Sequence, residues 1–566
     1  MLQIHRAERA DVLAAALAEV VGGPAADPFV PVVVAVPERG VERWLQQRLA
    51  LRLGTGTGSD GVCANVRFPS PGQVLTEAVN AATGTDPDTD PWHPARAVWP
   101  LLEEVVAAVE SPGDIFAALA AHLRHSGSTR TYAVARRLSD LFASYAVHRP
   151  DMLRAWHAGE PDDTPEDLRW QVELWRRLRA RIGVPGPAER LAEADRVLRA
   201  DPGRADLPAE LSVFGPTRLA AEHIAVLDAL AEHRAVHLWL PHPSPVLWAA
   251  LESGGAAIPR AEDHSADVVR NPLLRSLGRD VRELQLRLPA GARGVHHEGA
   301  PSPPTLLGRL QEALRTDRAP GGDRPLLEPG DRSVQVHACH GPDRQVEVLR
   351  EIVLGLLAQD ATLEPRDVIV MCPDIEAFAP LISASFGLAT EVEEDTHPGH
   401  RLRVRLADRA LRQANPLLGT VSALLELADS RVSASQVLDL VGSHPVRRRF
   451  RLDDDAVDRI GELVVRSGVR WGLDGEHRRP FRLDGFPQNT WSAGLDRMLL
   501  GVAMAERPGA QGWLGTALPL DDVDSSDVDL VGSLAEILDR LRTALEALAG
   551  PQPLTVWVAA LLEGLS

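Results

Sequence analysis

Arg39 and Arg43 lie four residues apart at the start of a predicted helix. Residues at this spacing share one face of a helix. Guanidinium groups beside the positive end of a helix suit the backbone phosphates of a nucleic acid. The spacing therefore predicts a phosphate contact that would not read base sequence, with an ordinary solvated turn as the alternative.

The 566-residue sequence contains no lysine, so all 60 of its basic residues are arginine. A P-loop NTPase needs the compact lysine ammonium of G-x-x-x-x-G-K-[ST] on the terminal phosphates, and the broad arginine fork does not replace it. The composition therefore argues against intrinsic ATPase or helicase activity. Codon bias in a GC-rich genome is the alternative explanation.

Three other patterns resemble ligand sites. His337, Cys339 and His340 have no zinc-ligand spacing and no second ligand pair, so a strand end followed by a turn is preferred. The glycine-rich stretch Gly54–Gly58 follows a helix, which favours a connector over a phosphate loop. Two acidic clusters lack the glutamate of a calcium loop and the lysine of a common nuclease core, which favours solvated loops: Asp86, Asp88, Asp90 and Asp521, Asp522, Asp524. We therefore predict no catalytic residues and no metal site.

Length and charge limit the class of protein. A chain that is 45% hydrophobic and 566 residues long can form three or four domains. A net charge of −19 argues against a free-standing DNA-binding protein, although local arginine clusters such as Arg447–Arg451 remain candidates beside solvated helix faces. Three scattered cysteines and the lack of a long apolar segment predict a cytoplasmic protein without membrane contact.

The elements that must position Arg39 and Arg43 form a βα unit. A β-branched strand over Val30–Val36 precedes the turn Pro37–Gly40 and a helix over Val41–Leu53. Strands return at Leu211–Gly215 and Val236–Leu240, after a mostly helical stretch over 95–200. The pattern predicts an α/β domain that is interrupted by a helical insertion.

A second βα pattern follows a Gly- and Pro-rich linker. Its predicted strands are Val334–Ala338 and Val368–Cys372, and helices cover Arg344–Gln359 and Ile375–Phe386. We therefore predict the layout of a superfamily 1 helicase, with two degenerate RecA-like P-loop-type domains that each carry a helical insertion. The predicted segments are domain 1A over 1–94, insertion 1B over 95–205, the return of 1A with the linker over 206–330, domain 2A over 331–405 and insertion 2B over 406–566.

Many segments in this order resemble the RecC family, the gamma subunit of the RecBCD enzyme, exodeoxyribonuclease V. No single motif identifies the family, but the collinear order of many does. The segments include Leu2–Leu13, Asp27–Phe29, Trp44–Gln46, Phe68–Pro71, Asp140–Phe142, Arg149–Asp151, Trp170–Gln171, Asn271–Leu274, Gly278–Asp280, His337–His340, Gln345–Leu349, Pro365–Met371, Gly468–Gly472 and Arg497–Gly501.

The resemblance implies a helicase-like subunit without catalysis of its own, in double-strand break repair and homologous recombination. Such a subunit splits duplex DNA, channels the strands and scans the 3′-ended strand for a Chi signal. Its implied partners are a RecB-like beta subunit and a RecD-like alpha subunit, which would use ATP and magnesium, together with double-stranded DNA ends and single-stranded DNA. A scaffold that binds only proteins and an active ATP-dependent helicase remain the alternatives. The resemblance also implies a further nuclease-like domain in full-length members of the family. We therefore expect this chain to be an N-terminal piece of a longer protein or a shortened gene product.

The family's scanning pore maps onto eight positions of this chain: Pro37, Arg39, Arg43, Ser70, Thr76, Asp140, Leu141 and Arg149. Asp140, Leu141 and Arg149 keep the family's residue types, so an aspartate can accept from exocyclic amines and an arginine can bind phosphate or guanine. A structural Asp140–Arg149 pair with Leu141 in a core is the alternative. The other five positions depart from the family pattern, which leaves recognition of the same Chi sequence open.

Overall fold

Six short segments from the first 296 residues pair as one parallel β-sheet in the computed structural model of the protein. The strands are β1 (Leu2–Ala7), β2 (Val32–Ala35), β3 (Val66–Arg67), β4 (Glu210–Phe214), β5 (Ala235–Pro241) and β6 (Arg293–His296). Their order across the sheet is β3-β2-β4-β5-β1-β6. The structure describes residues 2–23, 29–54, 61–110, 114–124, 128–160, 164–251, 258, 260–290, 293–321, 326–386, 397–406, 415–504, 518–521 and 523–565.

Helices cover both faces of the sheet and build the insertion. The helices of the first half are α1 (Ala10–Val21), α2 (Arg39–Ala50), α3 (Pro71–Thr83), α4 (Pro94–Glu110), α5 (Ala117–Leu123), α6 (Ser128–His148), α7 (Pro150–Ala158), α8 (Arg169–Ile182), α9 (Pro187–Ala200), α10 (Ala221–Ala231), α11 (Pro245–Ala250), α12 (Pro272–Leu277), α13 (Arg279–Arg287) and α14 (Leu306–Arg315).

The remaining helices follow residue 340. They are α15 (Gly341–Gln359), α16 (Ile375–Phe386), α17 (Pro416–Ala428), α18 (Ala434–Gly442), α19 (His444–Phe450), α20 (Asp454–Ser467), α21 (Trp491–Ala503), α22 (Val528–Ala547) and α23 (Leu554–Gly564). The chain divides into two compact units, residues 1–337 and 338–566. No helix of the described residues is long and apolar enough to cross a membrane.

Alternation along β2 shows why the sheet is covered on both sides. Val33 and Ala35 face a core that includes α3, α9 and α10, whereas Val34 and Val36 face a core that includes α1 and α2. Successive side chains of a strand point to opposite faces, so an uninterrupted apolar run belongs to a sheet that is buried on both sides. Right-handed crossovers place α1 and α2 on one face and α10 on the other, because the connections run in opposite directions.

A row of histidines crosses the face of the sheet that packs against α1. His5 lies between His237 and His297, with ring nitrogens 3.0 Å from each, and stacks on Trp239 with ring centroids 3.8 Å apart. Burial, with repulsion from the two neighbouring imidazoles, lowers the pKa of His5 to about 4. The row is therefore neutral at neutral pH and serves as a hydrogen-bonded part of the core.

The helical insertion has a core of large aromatic side chains. Trp92, Phe142, Trp156 and Trp175 are all buried in it. The indole nitrogens of Trp92 and Trp156 donate to the Val184 carbonyl at 3.1 Å and to the Thr164 hydroxyl at 3.2 Å. Trp92 and Trp156 can therefore be buried with their indole N–H groups satisfied, whereas the Trp175 indole nitrogen is buried without a hydrogen-bond partner among the described residues.

The described residues of the second unit form two separate helical cores. Val346, Ile382 and Phe386 join α15 to α16. A larger core unites α17 to α22 around side chains such as Leu463 and Trp491. The predicted helices at Arg344–Gln359 and Ile375–Phe386 are confirmed, with the first beginning three residues earlier.

The predicted second parallel sheet is not confirmed. Neither Val334–Ala338 nor Val368–Cys372 forms a β-ladder with any part of the chain that the structure describes. Val336 is 93% exposed and Ile369 is 85% exposed, so the two apolar runs pack against little. The α/β class with a parallel sheet is confirmed for the first unit only.

Candidate nucleic-acid interface

The candidate site lies at the carboxyl edge of the parallel sheet. Strands β2 and β3 are neighbours, and the Val36 amide donates to the Pro69 carbonyl at 2.9 Å where both strands end. Pro37 and Ser70 follow directly after these two residues. The hydrogen bond therefore holds the turn before α2 beside the turn before α3.

The sheet order creates a crevice next to these turns. The connection after β2 runs outward to β3, whereas the connection after β4 runs the other way to β5. Connections that leave two adjacent parallel strands in opposite directions open a crevice at their carboxyl ends, where α/β sheets bind ligands. In this chain the expected position lies between the Pro37 turn and residues 215–217, which follow β2 and β4.

Arg39 and Arg43 are exposed on the first turns of α2. Neither side chain has an ion pair or hydrogen bond among the described residues. The helix is anchored by Leu45 and Leu49, which are fully buried against α1. The two guanidinium groups are therefore held on an anchored helix and free to contact an anion.

The turn itself does not form a phosphate cradle. Glu38 is the N-cap of α2, and its side chain makes no capping hydrogen bond. A carboxylate at a helix start satisfies the positive end of the helix and repels phosphate. Phosphate contact at this edge would therefore come from Arg39 and Arg43 and not from the backbone amides.

Ser70 has a structural role at the start of α3. Its hydroxyl accepts from the Gln73 amide at 3.2 Å, and the Gln73 side chain accepts from the Ser70 amide at 2.8 Å. This reciprocal capping box uses the acceptor function of Ser70 and leaves its hydroxyl proton available. Thr76 is exposed one and a half turns further along α3.

Asp140 and Leu141 lie on α6, in the helical insertion. Asp140 is half exposed and its carboxylate lies 3.5 Å from Arg136, one turn earlier on the same helix. The alternative of a structural Asp140–Arg149 pair is wrong, because the partner of Asp140 is Arg136. Leu141 is half-buried against the insertion core, as that alternative expected.

Arg149 lies at the corner between α6 and α7. Its amide donates to the Tyr145 carbonyl at 2.7 Å, while its exposed side chain has no ion pair or hydrogen bond within the described ranges. Proline at the next position begins α7 and fixes the corner. The corner therefore presents the Arg149 guanidinium to solvent.

Contacts with α10 bring this corner to the sheet edge. Arg154 of α7 lies 3.6 Å from Glu222, in the first turn of α10. Burial, and repulsion from the neighbouring His148, lower the pKa of His223 in the same turn. Because α10 begins at the carboxyl end of β4, the α6–α7 corner and the Arg39 turn lie on the same edge of the sheet.

Two features of this edge were missed by the sequence analysis. The segment 215–217 borders the crevice, and Gly215 has a φ of +70°, a conformation that glycine adopts without strain. The Arg154–Glu222 contact joins the insertion to α10. The glycine directly after β4 was a sequence signal for the turn at 215–217. No local signal predicts the Arg154–Glu222 contact, because these residues are 68 positions apart.

Most of the other candidate arginines are already paired. On α8, Arg179 forms two hydrogen bonds with Glu189 at 2.7 and 3.0 Å, and Arg181 bonds Glu104 at 2.9 Å. The Arg176 guanidinium donates to the Trp156 carbonyl at 2.7 Å. The α8 cluster therefore stabilises the insertion, in contrast to Arg39, Arg43 and Arg149.

The metal-like patterns remain separate in the structure. Within the described residues no group of three or more His, Cys, Asp or Glu side chains is placed to hold a metal ion. Asp90 instead bonds Arg190, and Asp524 caps the turn before α22. Residues 55–58 of the glycine-rich stretch, Asp522, and Asp27 with Pro28 lie outside the described residues.

Comparisons with known proteins identify the family. A model of the RecC N-terminal domain matches residues 2–317, more than half of the chain, and a model of the fourth domain of the RecBCD enzyme subunit RecC matches residues 414–566. The RecBCD enzyme subunit RecC of Mycobacterium tuberculosis is 50% identical over all of this chain and 52% of its own length.

Two further RecC subunits give the same result. That of Mycolicibacterium smegmatis is 47% identical over all of this chain and 51% of its own length, and that of Escherichia coli is 30% identical over 99% of this chain and 52% of its own length. The chain spans about half the length of the curated relatives it matches. The order of segments, the family models and these identities agree that the chain belongs to the RecC family.

Proposed function

We propose that this chain is a noncatalytic DNA-binding part of a RecBCD-type helicase and nuclease, acting in double-strand break repair and homologous recombination. The observation that carries the proposal is the placement of three exposed guanidinium groups, Arg39, Arg43 and Arg149, around one edge of a parallel sheet, each without a partner among the described residues. In a chain with a net charge of −19, such a cluster is a local exception that favours an anionic ligand.

The same edge explains why the chain would bind DNA without driving its movement. A motor of the superfamily 1 class binds ATP at a P-loop after a strand of its first α/β domain, through a lysine. Here the strand β2 leads into Pro37 and Glu38, and the chain has no lysine. ATP and magnesium would therefore be used by the partner subunits, and an active helicase is disfavoured.

A single strand passing this edge would meet two kinds of group. Arg39 and Arg43 would hold backbone phosphates, which positions a strand without reading it. Asp140 can accept from the exocyclic amines of cytosine or adenine, and Arg149 can bind guanine or phosphate. Ser70, Thr76, Pro37 and Leu141 would complete a surface that scans the 3′-ended strand for a Chi-like signal.

The proposed partners are a RecB-like beta subunit and a RecD-like alpha subunit, with double-stranded DNA ends and single-stranded DNA as ligands. The proposed location is the cytoplasm. The helicase-like layout with a second degenerate RecA-like domain belongs to the same proposal. A scaffold that binds only proteins is the rival, and the acidic net charge with Glu38 at the start of α2 favours it.

Photocrosslinking in the assembled complex distinguishes a DNA-binding subunit from a scaffold that binds only proteins. Single-stranded DNA carrying photoreactive bases would be bound to the complete complex and crosslinked, and the labelled peptides identified by mass spectrometry. We expect crosslinks in the peptides that contain Arg39, Arg43 or Arg149, and their loss in the triple alanine variant. Crosslinks confined to the partner subunits would establish the protein-only scaffold.

The control is an Arg332→Ala variant, because Arg332 is exposed and has no side-chain partner among the described residues. It removes one exposed guanidinium of the same unit from the loop that follows α14. We expect it to keep the crosslinking pattern of the unmodified complex. Equal loss in this variant would show that crosslinking responds to net charge alone.

A further inference from the structure

A groove opens in the second unit between α17, α19 and α22. Its cavity has a volume of about 750 Å³. The floor is formed by buried aliphatic side chains, which are Leu424, Leu440, Ile537, Leu541 and Ala544. Leu417 stands at the rim and is 52% exposed. An apolar cavity of this size is typical of a binding site and not of packing imperfections.

The rim of the groove is strongly basic. Arg448, Arg449, Arg451 and Arg540 line it, and none of the described lining residues is Asp or Glu. The chain as a whole has 79 acidic residues, so a groove whose described lining residues include none of them differs in charge from the rest of the chain. An apolar floor under a ring of cations fits an occupant with one apolar and one acidic side.

Two of these arginines are not compensated by the protein. Arg447 pairs with Asp454, and Arg540 pairs with Glu536. The side chains of Arg448 and Arg451 are exposed and have no ion pair or hydrogen bond in the part of the chain that the structure describes. Their charges are therefore available to an occupant.

The backbone places Arg451 at the end of α19. This residue ends α19 in the left-handed conformation, with a φ of 55°. For a residue with a side chain this conformation costs about 1 kcal/mol, whereas glycine adopts it freely. Strain of this kind is often kept at sites of binding. At this helix end the strain places a guanidinium at the mouth of the groove.

We propose that the groove binds an acidic amphipathic helix of a partner protein. The apolar face of such a helix would lie on Leu424, Ile537 and Leu541, and its carboxylates would pair with Arg448 and Arg451. Single-stranded DNA fits less well, because base stacking needs aromatic faces. The described lining residues offer two rings, those of Phe450 and His444, and the Arg540 guanidinium already lies 6.0 Å from the Phe450 ring.

The test measures fluorescence anisotropy with the full chain and three labelled probes. The first is a peptide of about 14 residues, or four helical turns, with leucines spaced three and four apart and glutamates elsewhere. The second carries lysine in place of glutamate, and the third is an oligothymidylate of about twelve nucleotides. We expect saturable binding of the glutamate peptide alone.

Variants locate the binding. The Arg448→Glu/Arg451→Glu variant should weaken binding of the glutamate peptide at least tenfold, through loss of two ion pairs and the added repulsion. Leu417→Asp should weaken it too, because Leu417 contributes exposed apolar surface at the rim. The matched control is Arg403→Glu/Arg405→Glu, which reverses two exposed charges of the same unit outside the groove and should leave binding unchanged.

Four results would overturn the proposal. They are failure of the glutamate peptide to bind, equal binding of the glutamate and lysine peptides, binding that survives reversal of Arg448 and Arg451, and binding of oligothymidylate that depends on these arginines. Self-association of the chain that the same reversal abolishes would identify a second copy as the occupant and would also overturn it. All the substituted residues are exposed, so the variants should fold normally.

Discussion

Arg190 forms a double salt bridge with Asp90, with nitrogen–oxygen distances of 2.8 and 2.9 Å. It joins α9, the last helix of the insertion, to the loop that enters the insertion. Both side chains are mostly buried, at 9% and 17% exposure. The pair therefore closes the insertion at the point where it leaves the sheet domain.

Removing one partner of this pair should be costly. We expect Asp90→Ala to lower the free energy of unfolding of the first unit by about 3 kcal/mol, because it leaves the Arg190 charge buried and unpaired. Urea unfolding followed by circular dichroism measures the change. A double Asp90→Ala/Arg190→Leu variant should recover part of the loss, and an equal or greater loss would contradict this explanation.

The same pair predicts a response to acid. Burial opposes ionisation of Asp90, but the hydrogen bonds from Arg190 and from the Trp92 amide outweigh it and lower the pKa of Asp90. A lowered carboxylate pKa adds stability above the unfolded pKa of about 3.9, and this stability is lost as the pH falls through the folded value. Asp90→Asn should therefore flatten the loss of thermal stability below pH 4, whereas the exposed Glu193→Gln should not.

The histidine row should act at a higher pH. Because the folded pKa of His5 is about 4, below its unfolded value, the unfolded chain binds more protons between these values. Stability should fall as the pH drops from about 6.5 towards 4. His5→Phe keeps a ring on Trp239 and removes the titration, so its melting temperature should depend less on pH over this range. His264→Gln, at an exposed histidine, should follow the unmodified protein.

Exchange of Arg39 and Arg43 for alanine should weaken binding of single-stranded DNA without weakening the fold. Each lost phosphate contact should reduce the slope of log K against log salt by about 0.7, so two contacts would reduce it by about 1.4. Since both side chains are exposed and unpaired, the free energy of unfolding should change by less than about 0.5 kcal/mol. An unchanged salt slope would exclude phosphate contact by these residues.

Substitutions in the second unit can decide whether its predicted sheet exists. Because Ile369 is 85% exposed, Ile369→Ser should leave thermal unfolding unchanged and raise solubility. At the fully buried Leu463, substitution by alanine should lower the free energy of unfolding by about 2–5 kcal/mol. A comparable loss at Ile369 would show that Val368–Cys372 is packed in a sheet after all.

Elements with one dominant local signal could be predicted from the sequence. The uninterrupted apolar run of β2 and the apolar period of α16 led to elements within two residues of their observed bounds. Long-range pairing left weaker signals. Val66–Arg67 is a two-residue strand that is defined by its pairing with β2, and Arg293–His296 is a four-residue strand that is defined by its pairing with β1.

Capping and side-chain pairing also depend on the fold. The N-cap of α1 is Arg9, and its guanidinium donates to the Asp11 carboxylate in the first turn of the helix. The eight candidate residues were placed by resemblance, and local patterns could not show that the α6–α7 corner meets the sheet edge. That arrangement depends on α10, which begins more than 70 residues after Arg149.

The Val36–Pro69 hydrogen bond has a mechanical consequence. It joins the ends of β2 and β3, so a force on the turn before α2 also acts on the turn before α3. Surfaces that are stiff before a ligand arrives lose little conformational entropy on binding. A single strand of DNA moving past this edge would therefore contact a rigid surface. Differences in its rate of movement would come from the bases and not from conformational changes of the protein.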